Sequence, residues 1–203
     1  MLSDNIFSGG LEMANKVKYG LSNVYYAKAT INSDGTATYD TPVAIAGAVS
    51  LSLSAQGSND PFYADNIKYY VTASNTGYEG DLEVALIPDS FRKDILGEIE
   101  DDNGIIVEQT DAVATPFALL FQFEGDDKGT RHVMYNCTAT RPNVEGETKE
   151  DSSSVNTETM TISCASVYNT ALEKNIVKGR CLNDGTSAST YATWNSAVYQ
   201  PTK

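Results

Sequence analysis

The side chains able to do chemistry are few and scattered. His132 is the only histidine among 203 residues, which removes most acid–base schemes built on imidazole, the side chain that titrates nearest neutrality. Alternation puts it on an outward strand position beside Arg131 and near Asp126 and Asp127, so it reads as a surface histidine paired with a carboxylate. No serine stands in a G-x-S-x-G elbow, and no base is positioned for a nucleophile, so covalent catalysis has no support. The three cysteines, Cys137, Cys164 and Cys181, show no C-x-x-C spacing for zinc. Cys137 and Cys164 fall on inward strand positions and read as buried free thiols, with a Cys137–Cys164 bridge as the alternative.

Carboxylates cluster in two places, and neither cluster has a ligand's spacing. Asp101-Asp102-Asn103-Gly104 superficially resembles a calcium loop. With Gly104 at the turn position, however, the first and last ligand positions fall on Ile99 and Thr110, which cannot serve. Asp34-Gly35, Asn103-Gly104 and Asp184-Gly185 are read as turn pairs. Glu145, Glu147, Glu150 and Asp151, interrupted by Lys149, form a solvated charge run on a loop. No glycine-rich phosphate cradle exists. The expectation is a protein with no catalytic residues, no metal and no cofactor, and therefore not an enzyme.

The elements around these residues are mostly strands. Leu82, Val84 and Leu86 alternate with polar or small residues, the signature of a half-buried strand. Pro88-Asp89-Ser90 then stops the chain and offers a capping side chain to a short helix that Gly97 closes. Phe117, Leu119, Phe121 and Phe123 share one face of the next strand. After a turn at Gly125–Gly129, Val133, Tyr135, Cys137 and Ala139 return inward. Earlier, a strand over Leu21–Ile31 ends at Asn32-Ser33-Asp34-Gly35, and Val49, Leu51 and Leu53 alternate with serines. Ala55–Asn66 reads as a polar loop, followed by a strand carrying Ile67, Tyr69 and Val71. Residues 142–156 read as a long mobile loop, and Met160, Ile162 and Cys164 point inward from the strand after it. Tyr191, Trp194 and Val198 recur at helical spacing. With no βαβ rhythm, this predicts a mainly β fold. The expected form is a single antiparallel β-sandwich or partly closed barrel, with one flanking short α-helix and a possible C-terminal helix.

At this length one domain can bury its own core. Residues 1–12 read as a flexible leader or a cloning scar ahead of a domain over 13–203. No apolar run is long enough to span a bilayer, and no secretory signal is expected. The net charge of -13, from 27 acidic and 14 basic residues, argues against a DNA-coating protein, which needs a basic face. It reads first as ordinary acidic solubility, and it does not argue against a conduit, since a wall that repels phosphates lets DNA slide. Outward residues of the central strands, including Gln122 and Glu124, are candidates for such a wall. Twelve tyrosines against one tryptophan supply amphipathic rings suited to half-wet interfaces.

Several segments carry a likeness to known proteins: SNVYYAKAT, PFYADNIKYY, GDLEVALIPDSFRKDILGE, RHVMYNCTATRP and TKEDSSSVNTETMTI. Through them the chain resembles the phi13-type family of phage major tail proteins, the siphophage tail tube proteins, from Met13 onward. The resemblance implies a structural subunit of the virion tail, made in the host cytoplasm, that self-assembles into stacked, hexameric rings. The channel carries the genome at ejection without specific DNA binding. It also implies contacts with tail tip, terminator and tape measure proteins, and none with a membrane. The expected inter-ring interface is the loop Gln56, Gly57, Ser58, Asn59, Asp60, Pro61, Phe62 and Tyr63. The second candidate is Asn143, Glu145, Glu147, Lys149, Glu150 and Asp151. The alternatives are the tube of a phage-tail-like delivery device and, in a different class, a secreted β-sandwich binding module.

Overall fold

In the computed structural model, residues 19–125, 129–146, 156–185 and 187–203 are described. The chain begins with β1 (Tyr19–Ile31), β2 (Ala37–Tyr39), β3 (Val43–Ala44) and β4 (Ala48–Gln56). A hairpin of β5 (Asn59–Ala64) and β6 (Ile67–Ala73) leads into β7 (Gly77–Val84). Then come α1 (Asp89–Asp94), the small pair β8 (Ile99–Glu100) and β9 (Ile106–Val107), and the long strands β10 (Phe117–Glu124) and β11 (Arg131–Ala139). The chain continues with β12 (Glu158–Ala165), β13 (Val167–Asn169), β14 (Lys174–Ile176), β15 (Lys178–Cys181) and α2 (Ala188–Thr193).

The main sheet is antiparallel and runs β2-β1-β10-β11-β12-β7-β4, with β15 on β11 and β3 on β1. It curls on itself. The short link Ile45–Gly47 carries the chain from β1, where β3 pairs, to β7, where β4 pairs. The N–H of Ile45 donates to Val24 O at 2.8 Å, and that of Ala85 to Gly47 O at 2.7 Å. No ladder joins β1 to β4 among the described residues, so the barrel stays partly open, as expected.

Two apolar clusters lie on opposite sides of β1, β10 and β11. Inside the curl are Val24, Tyr26, Leu82, Val84, Phe91, Phe117, Leu119, Phe121, Met160, Ile162 and Cys164. Outside, Ala27, Ala118, Leu120, Val133 and Tyr135 are covered by Val167, Cys181, Trp194 and Val198. The helix expected from the spacing of Tyr191, Trp194 and Val198 is shorter than that spacing implies: it ends at Thr193, with Trp194 as its C-cap, and Val198 reaches the second face from the irregular chain beyond it.

Four local expectations are corrected. Val133 and Tyr135 do not share a face with Cys137 and Ala139. Phe117 pairs with Cys137 but Leu119 with Met134, so an irregularity in the ladder breaks the alternation. A similar shift between Ala48 and Ser50 leaves Val49 exposed while Leu51 and Leu53 pack inward. Leu86 lies beyond the end of β7 and is exposed, and Ile87 takes the buried position. No side chain caps α1. Instead the N–H of Ile87 donates to Glu158 Oε2 at 2.6 Å. Gly97 does close the helix, at φ +77 with the N–H of Glu98 reaching Arg92 O at 3.1 Å.

Helix α1 plugs the inner core through Phe91, whose ring meets Tyr26 edge-on at 5.0 Å and Phe117 at 5.4 Å. The Tyr26 hydroxyl donates to Asp94 Oδ2 at 2.8 Å, and burial pushes its pKa up to about 12. Phe91→Ala should cost about 3–5 kcal/mol. Urea unfolding followed by circular dichroism should show a lower midpoint at unchanged slope, and an unshifted midpoint would refute the plug.

Candidate functional site

Register assembles a polar surface that no single strand displays. The side chains of Leu82, Val84, Met160, Ile162 and Cys164 enter the inner core, so alternate positions on β4, β7, β12 and the end of β11 face outward. Across these strands Ser54, Glu79, Ser163 and Thr138 form one row, and Ser52, Asp81 and Thr161 the next. Ser50, Glu83 and Thr159 form the third. Ser50 and Thr157 both donate to Glu83, at 2.8 and 2.7 Å, and Thr161 donates to Asp81 Oδ1 at 2.9 Å. Short hydroxyls thus hold the carboxylates flat against the sheet. Among the described residues, no lysine or arginine occupies an outward position on these strands. Gly80 permits the tight approach of β4, since a Cβ there would lie 1.7 Å from Ser52 O.

Gln122 and Glu124, the candidates for a channel wall, stand on β10 and outside these rows. Gln122 is on the opposite wall, where Asn23 and the guanidinium of Arg131 donate to its Oε1 at 3.1 and 3.3 Å. Arg131 in turn donates to Tyr191 O at 2.6 Å.

The expected polar loop at Ala55–Asn66 is a corrected assignment. Gln56 ends β4 opposite Gly77, and Gly57 and Ser58 lead directly into β5. Asn59, Asp60, Pro61, Phe62 and Tyr63 pair with Ala73, Thr72, Val71, Tyr70 and Lys68. The tip is Asp65-Asn66 with φ +52 and +62, both positive as a two-residue type I′ hairpin turn requires. Ser74 N–H to Ser58 O at 2.9 Å and Thr76 N–H to Gln56 O at 3.0 Å continue the β4–β7 ladder into the hairpin. Ile67 and Tyr69 stand out from it, 60% and 71% exposed. Asn143 and Glu145 lie in the exposed irregular segment after β11, at the opposite end of the sheet. Glu147, Lys149, Glu150 and Asp151 lie outside the described residues.

The residues with chemical potential are put to structural use. His132 lies on β11 opposite Phe121. It stacks on Phe121 at 5.1 Å and meets the edge of Phe123 at 5.8 Å. Asp126 and Asp127 lie outside the described residues. Cys137 and Cys164 are buried free thiols facing each other across β11 and β12, sulfurs 2.9 Å apart. Burial pushes the Cys137 thiol well above its ordinary pKa, away from the reactive thiolate. Asp101 holds a turn: its Oδ1 accepts from the N–H groups of Ile105 at 2.8 Å and Asn103 at 2.9 Å. Those bonds, the Ile105 one foremost, lower its pKa. Among the described residues, no group of three or more His, Cys, Asp or Glu side chains could hold a metal ion, and no helix is long and apolar enough to cross a membrane.

A family model described as phage tail tube protein covers residues 12–178. No curated protein matches the chain.

Glu83 gives the acidic face a measurable signature. Its carboxyl pKa lies below the ordinary value, first through the Thr157 hydroxyl and then through Ser50. A depressed folded pKa means the stabilisation is present above the unfolded pKa and is lost as pH falls through the folded one. Thr157→Val should therefore raise the Glu83 pKa toward its ordinary value, as read by carboxyl-carbon NMR titration. An unmoved titration would show that the hydroxyl does not hold the charge.

Proposed function

We propose a specific role for this chain, which belongs to the phage tail tube protein family: it forms the channel wall, with the β4-β7-β12-β11 face turned to the lumen. As a member of that family it is a structural subunit of the virion tail. In the proposed assembly, stacked rings of six copies, built in the host cytoplasm, enclose the path the genome takes at ejection. The tip, terminator and tape measure proteins of the tail are its other partners.

The observation that supports this reading is the row-by-row alternation of hydroxyl and carboxylate over four strands without a cation. Copies arranged around a circle would carry this face into one continuous lining. Wall carboxylates then act over a Debye length of about 8 Å at physiological salt. They keep phosphates from settling on the wall without blocking the channel's centre. Lysines in the same places would displace counterions and hold the DNA.

Lateral contacts follow from the sheet's free ends. The path terminates at β2 and β4, and unpaired edges are removed when copies pair around a circle. The β5–β6 hairpin, continuing the β4–β7 ladder beyond the body of the sheet, is the segment suited to reach the adjacent ring.

Concentrated protein should form rings or tubes under electron microscopy, and these should not retain duplex DNA even at low salt. Glu79→Lys, Asp81→Lys and Glu83→Lys together should leave the fold intact, because the positions face solvent. The resulting tubes should bind DNA with an affinity that falls steeply with salt. A tube reconstruction that puts this face outside, or wild-type tubes that bind DNA equally well, would overturn the lumen assignment.

A further inference from the structure

Cys137 and Cys164 stand at a seam of the main sheet. Strand β12 joins the acidic half, β7 and β4, to the buried strands β10 and β11. Its ladder to β7 runs from Glu158 to Cys164. Its ladder to β11 takes in only Asn136–Ala139 opposite Ala165–Ile162, because β15 pairs with the first part of β11, Arg131–Met134. Within that short ladder the two cysteines are direct Cα partners, and both side chains enter the inner cluster, 0% and 1% exposed.

The geometry suits a bond between them. Opposite residues of an antiparallel pair have Cα atoms about 4.5–5.5 Å apart, inside the range of about 4.4–6.8 Å that a disulfide spans. The sulfurs lie 2.9 Å apart, about 1 Å beyond an S–S bond. Closing that gap takes a side-chain adjustment and no rearrangement of the strands. Cys181 belongs to the outer cluster, on the other side of the sheet, and does not compete for either sulfur.

We propose that Cys137 and Cys164 are an oxidation site that closes to a disulfide once the tail has left the reducing compartment of its assembly, locking the β11–β12 seam. The inference rests on the reading of this chain as a virion tail subunit built in the host cytoplasm, where thiols are kept reduced, whereas disulfides persist outside the cell. The oxidant is hydrogen peroxide, small enough to enter when the seam opens locally. One cysteine, as its thiolate, attacks a peroxide oxygen and becomes a sulfenic acid, and the expelled hydroxide takes up the thiol's proton as water. The second sulfur then attacks the sulfenic sulfur, the S–O bond breaks, and its oxygen leaves as a second water with the second thiol's proton. The sulfurs give up an electron pair and the peroxide is reduced. Burial sets the pace: it holds the Cys137 thiol above its ordinary pKa, so the closed fold presents no thiolate there and the pair passes through assembly unreacted. Reaction proceeds through local openings, and the bridge then opposes those openings and slows unfolding.

Protein purified under reductant is treated with hydrogen peroxide, denatured in acid and alkylated. Of the three thiols one should remain, and peptide mapping should join Cys137 to Cys164. The thermal midpoint should rise by about 6–12 °C and return on reduction with dithiothreitol. Cys137→Ala and Cys164→Ala should each lack that rise. If neither variant folds, the mapped bridge and the reversible rise in the wild type decide. Thiols that stay open, a bridge that includes Cys181, or a bridge that leaves the midpoint unmoved would overturn the lock. In a second arm, infected-cell lysate and released particles held with the same peroxide are quenched in acid and alkylated alike. Free thiols are expected in the lysate and the bridge in the particles. A bridge already present in the lysate overturns the timing, as do open thiols in the particles. Absence of the protein from the particles overturns the tail reading and the timing that rests on it, and is told apart from failure of the bridge by the result on purified protein.

Discussion

From Phe117 to Phe121 strand β10 has no solvent side, and much of the architecture answers to that. Phe117, Leu119 and Phe121 enter one apolar cluster while Ala118 and Leu120 enter another. A strand buried on both faces needs a cover on each, since neither set of side chains can be returned to water without losing its transfer free energy. The curled half-sheet of β4, β7 and β12 with α1 supplies one cover. The segment from β13 through α2 supplies the other. With both faces of β10 satisfied, the outer surface of β4, β7 and β12 is left with no apolar duty. It is free to carry serines, threonines and carboxylates.

Much of the inner core was legible because its strands alternate without interruption. Leu82 and Val84, the aromatic row of β10, and Met160, Ile162 and Cys164 all landed where period two put them. Trp194 and Val198 are buried as their spacing suggested, although the helix itself ends at Thr193. What failed were the places where one extra residue shifts the phase. The irregularity in β11 moves Val133 and Tyr135 to the other cluster, and the one in β4 turns Val49 outward. No residue type announces such a shift, because it arises from the geometry of the partner strand.

The hairpin and the acidic face were hidden for different reasons. Gly57, Ser58, Asn59 and Asp60 look like a loop, and the turn that makes them a hairpin is Asp-Asn rather than the glycine-containing pair that usually signals type I′. Asp65 and Asn66 tolerate the left-handed conformation because their short polar side chains meet little steric penalty there. The acidic face is a property of register. Glu79, Asp81 and Glu83 come from one strand, but their hydroxyl neighbours lie about 30 residues earlier and 80 residues later in the chain. Strand order is also what sets Gln122 against Asn23 and Arg131 and outside these rows.

The cover on the outer cluster also sets a timetable. Gln200 donates to Ala37 O across 163 residues of sequence, and Asn169 donates to Pro201 O. Strand β2 and the face behind it are translated early, and the segment that seals them emerges much later. At bacterial elongation rates the interval is on the order of ten seconds or more. For that time each nascent chain carries an apolar face and an open strand edge among neighbouring copies on the same messenger. The outer cluster is therefore sealed only when α2 and the residues after it have emerged, and the last part of the chain to be made closes a face laid down by the first.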